Sequence, residues 1–524
     1  MKKALIFVLV ILLLTSCKSG DIVSQTEKPS SDIDNGEWIV KQNETELTLA
    51  VYSVDTFQPI ATKSTSVTDA MSLVYEPLFR LNGTLKPVGA LASGYSVSSD
   101  GMTVEITLNS SAKWHDNTKF SASDVDYTVK SIMNGDSIYK SYLQNVVSCS
   151  ASGNSKYVFR LSRPVPNFIA NLTFPIIKNG TSMDINADYL PIGTGPYKYG
   201  GKIGSKLINL VQNENWYGGS VGIKNIRLDI LKDKETAISA FEANEVSCIT
   251  SKTVDLNQYT PRGKVSTKDY VSNNMVYLGI NFYKQVLWGT GTRQALGYII
   301  NKDELTEKQM YGRAEAVDVP INPSAWYYEA ESKVYGYDKE TAKALLIQDG
   351  WNKGEWGYSR VINGTDTPLK LQILVNGENE EKVNIANAVA KYLNDSEIAA
   401  EVKAVPYEEY KSLITRKEFD LFIGETVMPN CMDSTFLVGS GGNYFTYSSS
   451  DMDFKIANIG KAPSEDATKI AVSEFDKLFN TDIPFIPLFF KKESLIFNDT
   501  LAGNIEPNFS NVYGGVTEWY IEQK

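Results

Sequence analysis

Histidine and cysteine are scarce in this chain. Its 524 residues contain one histidine, His115, and four cysteines. A single imidazole leaves no partner for a histidine-rich zinc site, and a Ser/His/Asp triad could use only that residue. The cysteines lie far apart in sequence, which argues against a Cys-x-x-Cys metal site and against a disulfide-dense scaffold. We therefore predict no metal site and no cofactor, and we recognise no catalytic constellation.

Positively charged residues are also fewer than negatively charged ones. Lys and Arg number 51 against 62 Asp and Glu, so the formal net charge is −11. Such a surface repels phosphate backbones, which makes nucleic acids poor partners. The hydrophobic share of 42% is enough for a large core, and at roughly 150 residues per domain the length predicts two to four domains.

Long apolar runs are missing after the first residues. Lys2 and Lys3 give a basic start, and residues 4–14 form one apolar run. This run is shorter than the roughly 20 residues that span a membrane. It is typical of a secretory signal, so we expect a signal peptide at 1–16 and a soluble body after it.

The end of the signal resembles the bacterial lipobox. Leu14-Thr15-Ser16-Cys17 has the branched residue, two small residues and Cys of that motif. In that family the thiol takes diacylglycerol and cleavage exposes the Cys, which implies lipidation of Cys17 and a membrane-anchored protein facing the extracytoplasmic side. Residues 17–44 are then the lipidated Cys and a flexible tether. The alternative is an ordinary cleaved signal in which Cys17 is incidental.

The remaining cysteines leave two alternatives open. Three cysteines remain, Cys149, Cys248 and Cys431, so at most one disulfide could form between them. The other possibility is three buried or inert thiols.

Periodic patterns predict a body of mixed strands and helices. Apolar residues at 104, 106 and 108, and again at 157, 159 and 161, alternate with polar ones, which indicates half-buried strands of an antiparallel sheet. A helix is predicted over 121–133 with Ser121 or Ser123 as N-cap. The fold class is therefore α/β or α+β, with a domain crossing at the Gly/Pro-rich residues 191–201. Further helices are predicted over 293–305, 341–349 and 381–393, and extended segments over 276–282, 369–375 and 486–490.

One segment carries a family signature. Residues 112–117, Ala-Lys-Trp-His-Asp-Asn, with 120–125, Phe-Ser-Ala-Ser-Asp-Val, resemble the signature of family 5 extracellular solute-binding proteins, the oligopeptide- and dipeptide-binding proteins of ABC importers. Asn117 replaces the usual Gly, and because Asn often adopts left-handed backbone the turn can survive. We interpret Trp114 and His115 as structural. Other segments that resemble the family are Tyr75-Glu76-Pro77-Leu78, 91–108, Gly193-Thr194-Gly195-Pro196-Tyr197, Asn281 with Arg293-Gln294-Ala295-Leu296, 345–351 and 484–488.

The resemblance implies an α/β, two-lobed periplasmic-binding-protein-like fold of type II with an extra domain inserted in the first lobe. The ligand would be buried between the lobes, and function would lie in its higher affinity for the closed state. Hinge strands are expected near 275–281 and 485–490. The implied boundaries are 45–75, 195–276 and 490–524 for lobe one, 76–194 for the inserted domain and 277–489 for lobe two.

Candidate ligand-binding residues follow from position in the resemblance alone. Peptide-binding relatives pair their main chain with that of the ligand, which leaves few side-chain marks in the sequence. For the aromatic candidates, stacking on a ligand competes with plain packing. The candidates in the loops at the lobe faces are Thr65, Trp326, Tyr327, Asn443 and Tyr444.

One further expectation concerns the charged end of a peptide ligand. Oligopeptide-binding relatives place an Asp after the Phe-Asp-Leu strand to pair with the amino terminus, but this chain has Met428-Pro429-Asn430 at the matching region. A buried ammonium without a partner is costly. Either Glu425 or Asp433 therefore substitutes for the missing carboxylate, or the ligand carries no free amine there.

The resemblance favours a non-enzymatic, monomeric binding protein that delivers a peptide or peptide-like solute to ABC permease subunits in the membrane. Within the same family the alternatives are an oligosaccharide, a chelated metal or another solute, and nickel is disfavoured because His-based ligation has only His115. An extracellular hydrolase with paired carboxylates is the alternative outside the family. Neither the solute nor a choice between import and sensing can be derived from the sequence.

Overall fold

The computed structural model describes residues 46–184, 189–204, 206–252, 256–355 and 357–522. The predicted signal peptide, Cys17 and the tether to residue 44 lie outside these residues. Within them, no helix combines the length and the apolar character that crossing a membrane requires.

Strands and helices alternate along the chain. Up to residue 251 the elements are β1 (Leu47–Tyr52), α1 (Thr65–Met71), β2 (Phe79–Leu81), β3 (Pro87–Gly89), β4 (Ala92–Val97), β5 (Thr103–Leu108), α2 (Ala122–Asn134), β6 (Val146–Ser152), β7 (Lys156–Leu161), β8 (Tyr197–Ile203), β9 (Leu207–Gln212), β10 (Asn225–Leu231), α3 (Lys234–Glu242) and β11 (Cys248–Ser251). They continue with β12 (Val265–Ile280), α4 (Thr290–Ile299), α5 (Lys302–Met310), β13 (Ala314–Ala316), α6 (Lys339–Gln348), β14 (Asn352–Gly354), β15 (Gly357–Ile362), β16 (Thr365–Pro368), β17 (Lys370–Asn376), α7 (Glu380–Asn394) and β18 (Ala399–Val405). The last are α8 (Tyr407–Thr415), β19 (Leu421–Val427), α9 (Thr435–Val438), α10 (Ser450–Lys461), α11 (Glu465–Asp482), β20 (Phe485–Asn498), β21 (Leu501–Ala502) and β22 (Tyr520–Ile521).

Most of the predicted elements are confirmed. Strands β5 and β7 pair antiparallel and bury their alternate apolar residues. Helix α2 starts after Ser121, whose backbone N–H donates to the carboxylate of Asp124 at 2.9 Å. The predicted helix over 293–305 is wrong in one respect, because it is two helices, α4 and α5. Ile300 is extended between them, and the side chain of Asn301 accepts the N–H of Glu304 and so begins α5 anew.

A large mixed sheet organises the described part of the chain. Its order is β18-β17-β19-β12-β20-β11-β1-β10-β9-β8, with β13 attached to β20. We call β8 to β11 with β1 the first half-sheet, and β17 to β19 the second half-sheet. The long strands β12 and β20 belong to both and connect them.

Each of these two long strands packs one part in the core of the first half-sheet and another part in the core of the second. Tyr270 on β12 and Leu495 on β20 pack in the core of the first half-sheet, whereas Val276 and Phe489 pack in the core of the second. The register between β12 and β20 shifts between Val271 and Met275. The crossing between the half-sheets therefore lies at a bulge just before the segment 275–281 that the sequence indicated as a hinge.

A smaller sheet, β4-β5-β7-β6, is covered by α2 and shares the core of the first half-sheet. The tip of the β2–β3 hairpin makes a different contact, because Leu85 is buried among residues of the second half-sheet and its helices. Cys149, Cys248 and Cys431 are free thiols, the last two buried.

Candidate functional site

The carboxyl ends of both half-sheets approach the same stretch of β20. Strands β1, β10 and β11 run parallel to one another, with Ser251 of β11 opposite Ser494. Strands β17, β18 and β19 are also mutually parallel, and β19 ends at Val427, which pairs with Asn274 of β12. Ligands of open α/β sheets bind outside the carboxyl ends of the strands. We call the region around residues 491–494, flanked by these strand ends, the crevice.

The first side of the crevice carries an ion network. The carboxylate of Glu493 lies 3.4 Å from the ammonium of Lys252 and accepts the hydroxyl of Tyr270 at 3.1 Å. Asp69 of α1 lines two small adjacent cavities, of about 20 and 60 Å³. Burial raises the pKa of Asp69 to about 7, against the opposing charge of Lys252. This carboxyl group can therefore change charge near neutral pH.

The second side carries a larger ion network. The carboxylate of Glu425 lies 3.0 Å from the ammonium of Lys382 and 3.2 Å from that of Lys491. Lys491 also lies 2.6 Å from Glu381. Burial alone would raise the pKa of Glu425, but the charges of Lys491 and Lys382 outweigh it and hold that pKa below its ordinary value. The four side chains form a balanced network of two cations and two anions.

Thr65, predicted from the sequence, lies on the first side of the crevice. It is exposed at the start of α1. Its neighbours Ser64 and Ser66 donate their hydroxyls to the carbonyl of Tyr52, at 2.9 and 2.8 Å. These bonds fix the loop after β1, so Thr65 is presented at the carboxyl end of that strand.

Trp326 and Tyr327 lie where the second half-sheet meets residues 76–194, which we call the inserted segment because the resemblance predicts an inserted domain there. The ammonium of Lys86 is 6.0 Å from the ring of Trp326, whose indole N–H is buried without a hydrogen-bond partner in the described residues. Tyr327 is 4% exposed and packs in the core of the second half-sheet. The two rings contact each other edge to face.

Asp433, the second candidate for the missing carboxylate, is 4% exposed and forms an ion pair with Arg163. The nearby side-chain amide of Asn430 donates to the hydroxyl of Thr173 at 3.0 Å. Asp433 therefore connects the loop after β19 to the inserted segment, and its charge is already paired.

Asn443 and Tyr444 lie near the opposite end of β19 from Glu425. The carbonyl of Phe445 accepts the N–H of Phe282, and Asn281 beside it bonds to Asp420, just before β19 starts. The side chain of Asn443 closes its own loop by accepting the N–H groups of Phe445 and Tyr447. Tyr444 is 50% exposed, with the ammonium of Lys417 5.7 Å from its ring. The structure does not bring these two residues together with Glu425.

Sequence reasoning missed most charged residues of the crevice. Lys491, Lys492 and Glu493 interrupt the apolar strand β20, and this interruption was a signal that could have indicated them. Lys252, Lys382 and Asp69 carry no comparable mark in the sequence. The missed residues of the two networks are Asp69, Lys252, Glu381, Lys382, Lys491 and Glu493.

His115 is held by backbone groups away from the crevice. Its Nδ1 accepts the N–H of Gly193 at 3.2 Å, so its Nε2 donates to the carbonyl of Gly195 at 3.1 Å. Burial lowers the pKa of His115 to about 4. Both ring nitrogens are engaged, as the structural interpretation of the signature expected. Across the described ranges, no group of three or more His, Cys, Asp or Glu side chains is arranged to hold a metal ion.

Comparison with known proteins identifies the family. Residues 86–446 match the model of the bacterial extracellular solute-binding proteins, family 5 (Middle). The match spans more than half of the chain. The chain belongs to this family. The resemblance seen in the sequence is confirmed.

Relatives of the chain differ in the solutes that their names give. The chain is 25% identical over 356 residues to the nickel-binding periplasmic protein of Escherichia coli, covering 65% of this chain and 67% of that protein. It is 20% identical over 495 residues to the oligopeptide-binding protein AppA of Bacillus subtilis, covering 89% of each. These relatives are binding proteins.

Solved structures of other proteins share the fold of this chain. HbpA2 from Haemophilus parasuis has a TM-score of 0.76 at 18% identity, covering 91% of this chain and all of that one. The murein tripeptide-binding protein MppA, in an unliganded open form, has a TM-score of 0.77 at 17% identity, covering 92% and 98%. The type II periplasmic-binding-protein fold expected from the sequence is confirmed.

Proposed function

We propose that this family 5 protein captures a peptide or peptide-like solute in the crevice and delivers it to the permease of an ABC importer. The observation that carries the proposal is the pair of ion networks at the facing strand ends. Each side offers both a cation and an anion, namely Lys252 with Glu493 and Lys491 with Glu425. A peptide has an ammonium, a carboxylate and a polar main chain, so its groups are complementary to such a site.

Apolar surface beside the second network supports an amphipathic ligand. Val427, at the carboxyl end of β19, is 69% exposed, and Tyr407, just after β18, is also exposed. Val427 lies beside the crevice, and Tyr407 lies at the same end of the sheet but at its outermost strand, β18. A peptide side chain can cover them while its main chain meets the charged groups.

Glu425 is our candidate for the partner of the ligand's amino terminus. Its carboxylate lies at the crevice and already accepts two lysine ammonium groups. A ligand ammonium can take the place of one of these lysine ammonium groups at a small cost in free energy, because the carboxylate of Glu425 then stays paired with the same number of cations. Asp433 pairs with Arg163 at the contact with the inserted segment, and we propose that this pair helps to hold the closed form.

A chelated metal is the second candidate, because relatives are named for nickel. The only imidazole of the chain, that of His115, uses both nitrogens for backbone bonds. A nickel complex would have to bring its own nitrogen ligands. The charged crevice therefore favours a peptide.

The anchor and the mode of action complete the proposal. Lipidation of Cys17 would hold the protein at the outer face of the cell membrane, close to the permease. The folded chain would act as a monomer and perform no bond chemistry, since a binding protein works through the higher affinity of the ligand for the closed state.

Calorimetric titration of the purified protein with short peptides tests the proposal. We expect a free peptide to bind, an N-acetylated copy to bind at least about tenfold more weakly, and Glu425→Gln to remove that difference. Glu418→Gln is the matched control, because Glu418 lies just before β19 and pairs with Arg416 at the surface. Tighter binding of a nickel–histidine complex than of any peptide would overturn the choice of solute.

A further inference from the structure

A second pocket lies away from the crevice, beside the helices that cover the second half-sheet. It is a cavity of about 430 Å³ between α4, α6, α11 and the segment 329–335. None of its lining residues belongs to the ion networks of the crevice. Its volume lies in the range that holds a small molecule.

Two buried acceptors in this pocket lack a donor. Asp476 and Asn480, one turn apart on α11, are 3% and 7% exposed. One carboxylate oxygen of Asp476 accepts the hydroxyl of Ser332, but its Oδ1 has no hydrogen-bond partner in the described part of the chain. The amide nitrogen of Asn480 donates to the carbonyl of Ser332 at 3.1 Å, which leaves its Oδ1 unpaired as well. Buried acceptors without donors are rare and costly.

The chemistry around these oxygens defines what would pair with them. The missing group must offer several donors, and an ammonium has three. Glu329 and Glu331 add negative charge to the lining, against one cation, Lys477. The rest of the wall combines hydroxyl and amide side chains with two aliphatic side chains and two rings, and Tyr298 and Leu345 supply apolar surface.

We propose that this pocket binds a primary alkylammonium ion. Its ammonium donates to the two free oxygens of Asp476 and Asn480, and its alkyl chain lies against Tyr298 and Leu345. Charge-assisted hydrogen bonds to a buried carboxylate are about twice as strong as neutral ones. A neutral alcohol of equal length has one donor and no charge, so it satisfies only one of the two oxygens.

The pH dependence follows from the groups that face Asp476. Burial raises the pKa of Asp476 to about 7; the hydrogen bond from Ser332 opposes the shift and Glu329 adds to it. Glu331, Lys477 and the phenol groups of Tyr298 and Tyr335 are the other titratable groups in the lining. Because the carboxylate forms only above this pKa, alkylammonium binding strengthens between about pH 6 and about pH 8.

The test is a calorimetric titration of the purified full chain with n-butylammonium chloride, and with 1-butanol as the neutral probe. We expect saturable binding of one n-butylammonium per chain, and binding of butanol at least about tenfold weaker. Asp476→Asn lowers the affinity for n-butylammonium by at least about tenfold. The amide can still accept the hydrogen bond from Ser332, but it lacks the negative charge of the carboxylate. Ser473→Phe places a ring in the pocket while keeping both acceptor side chains, and it abolishes binding.

Two controls keep the pocket separate from the crevice. Glu474→Gln changes an exposed acid of the same helix, which pairs with Lys455, and leaves binding unchanged. Glu425→Gln impairs the peptide site and leaves n-butylammonium binding unchanged, so failure of one site is distinguishable from failure of the other. Equal binding of butanol and n-butylammonium, or unchanged binding in Asp476→Asn and Ser473→Phe, overturns the proposal. No saturable binding at about pH 8 means that water alone fills the pocket and overturns it as well.

Discussion

Lys491 and Glu493 lie on the same face of strand β20, and each joins an ion network of a different half-sheet. The ammonium of Lys491 is 2.6 Å from Glu381, on the second side of the crevice, while the carboxylate of Glu493 is 3.4 Å from Lys252, on the first side. Side chains two residues apart on a strand share a face. A rotation at this point of β20 would change the separation of the two networks, and it would couple the proposed ligand binding to the expected hinge motion.

Loss of Lys491 should destabilise the protein through its two carboxylate partners. In Lys491→Met, Glu381 loses its cation and Glu425 keeps only Lys382, so the free energy of unfolding falls by about 1–3 kcal/mol. Urea unfolding followed by circular dichroism measures this loss. Lys391→Met is the control, because its exposed pair with Asp395 contributes less than about 0.5 kcal/mol. Equal losses in both variants would contradict the role of the network.

The Arg163–Asp433 pair should behave as one unit. Asp433 is buried, so Asp433→Asn and Arg163→Met each leave one member of the pair without its partner. The double variant should therefore lose less stability than the sum of the losses in the two single variants. We expect a coupling of about 1–3 kcal/mol in the free energy of unfolding. Asp433→Asn should weaken peptide binding in the parent but have no further effect in Arg163→Met. Additive effects on both measurements would show that Asp433 meets the ligand directly.

His115 should make the protein less stable in mild acid. Burial lowers its folded-state pKa to about 4, below the ordinary value of 6.5. Between these values the unfolded chain binds the proton first, so stability falls as the pH drops from about 6.5 to about 4, by up to about 3 kcal/mol.

The measurement for His115 is unusually clean, because this is the only histidine of the chain. Proton NMR of the protein without a histidine tag should give one imidazole titrating near pH 4. In His115→Gln the fall in stability between about pH 6.5 and pH 5 should be smaller than in the parent. An imidazole that titrates at its ordinary pKa would contradict the buried position.

Cys17→Ala should release the folded protein from the membrane. The motif Leu14-Thr15-Ser16-Cys17 predicts that this thiol carries the lipid, and a chain with a formal net charge of −11 is too acidic to bind anionic lipid by charge. Fractionation of cells that express the variant should find it in the medium or the periplasm. A variant that stays with the membrane as firmly as the parent would show that another segment anchors it.

Local patterns in the sequence determined most elements that the structure confirms. Alternation at 104–108 and 157–161 gave β5 and β7, since a period of two is a property of a single strand. Asn117 has a φ of 67°, so it adopts the left-handed turn expected from the signature. The break between α4 and α5 was missed, because apolar spacing continues past Ile300 and does not report the cap at Asn301.

The sequence by itself also determined the family and the class of function, because its motifs occur in order along most of the chain. Only the tertiary structure decided which charged groups meet at the crevice. Glu381, Glu425 and Lys491 come from α7, β19 and β20, and periodicity within one element carries no information about the partners that another element brings. An ion pair depends on distances of a few ångströms between distant parts of the chain, and these are fixed by the pairing of β12 with β19 and β20.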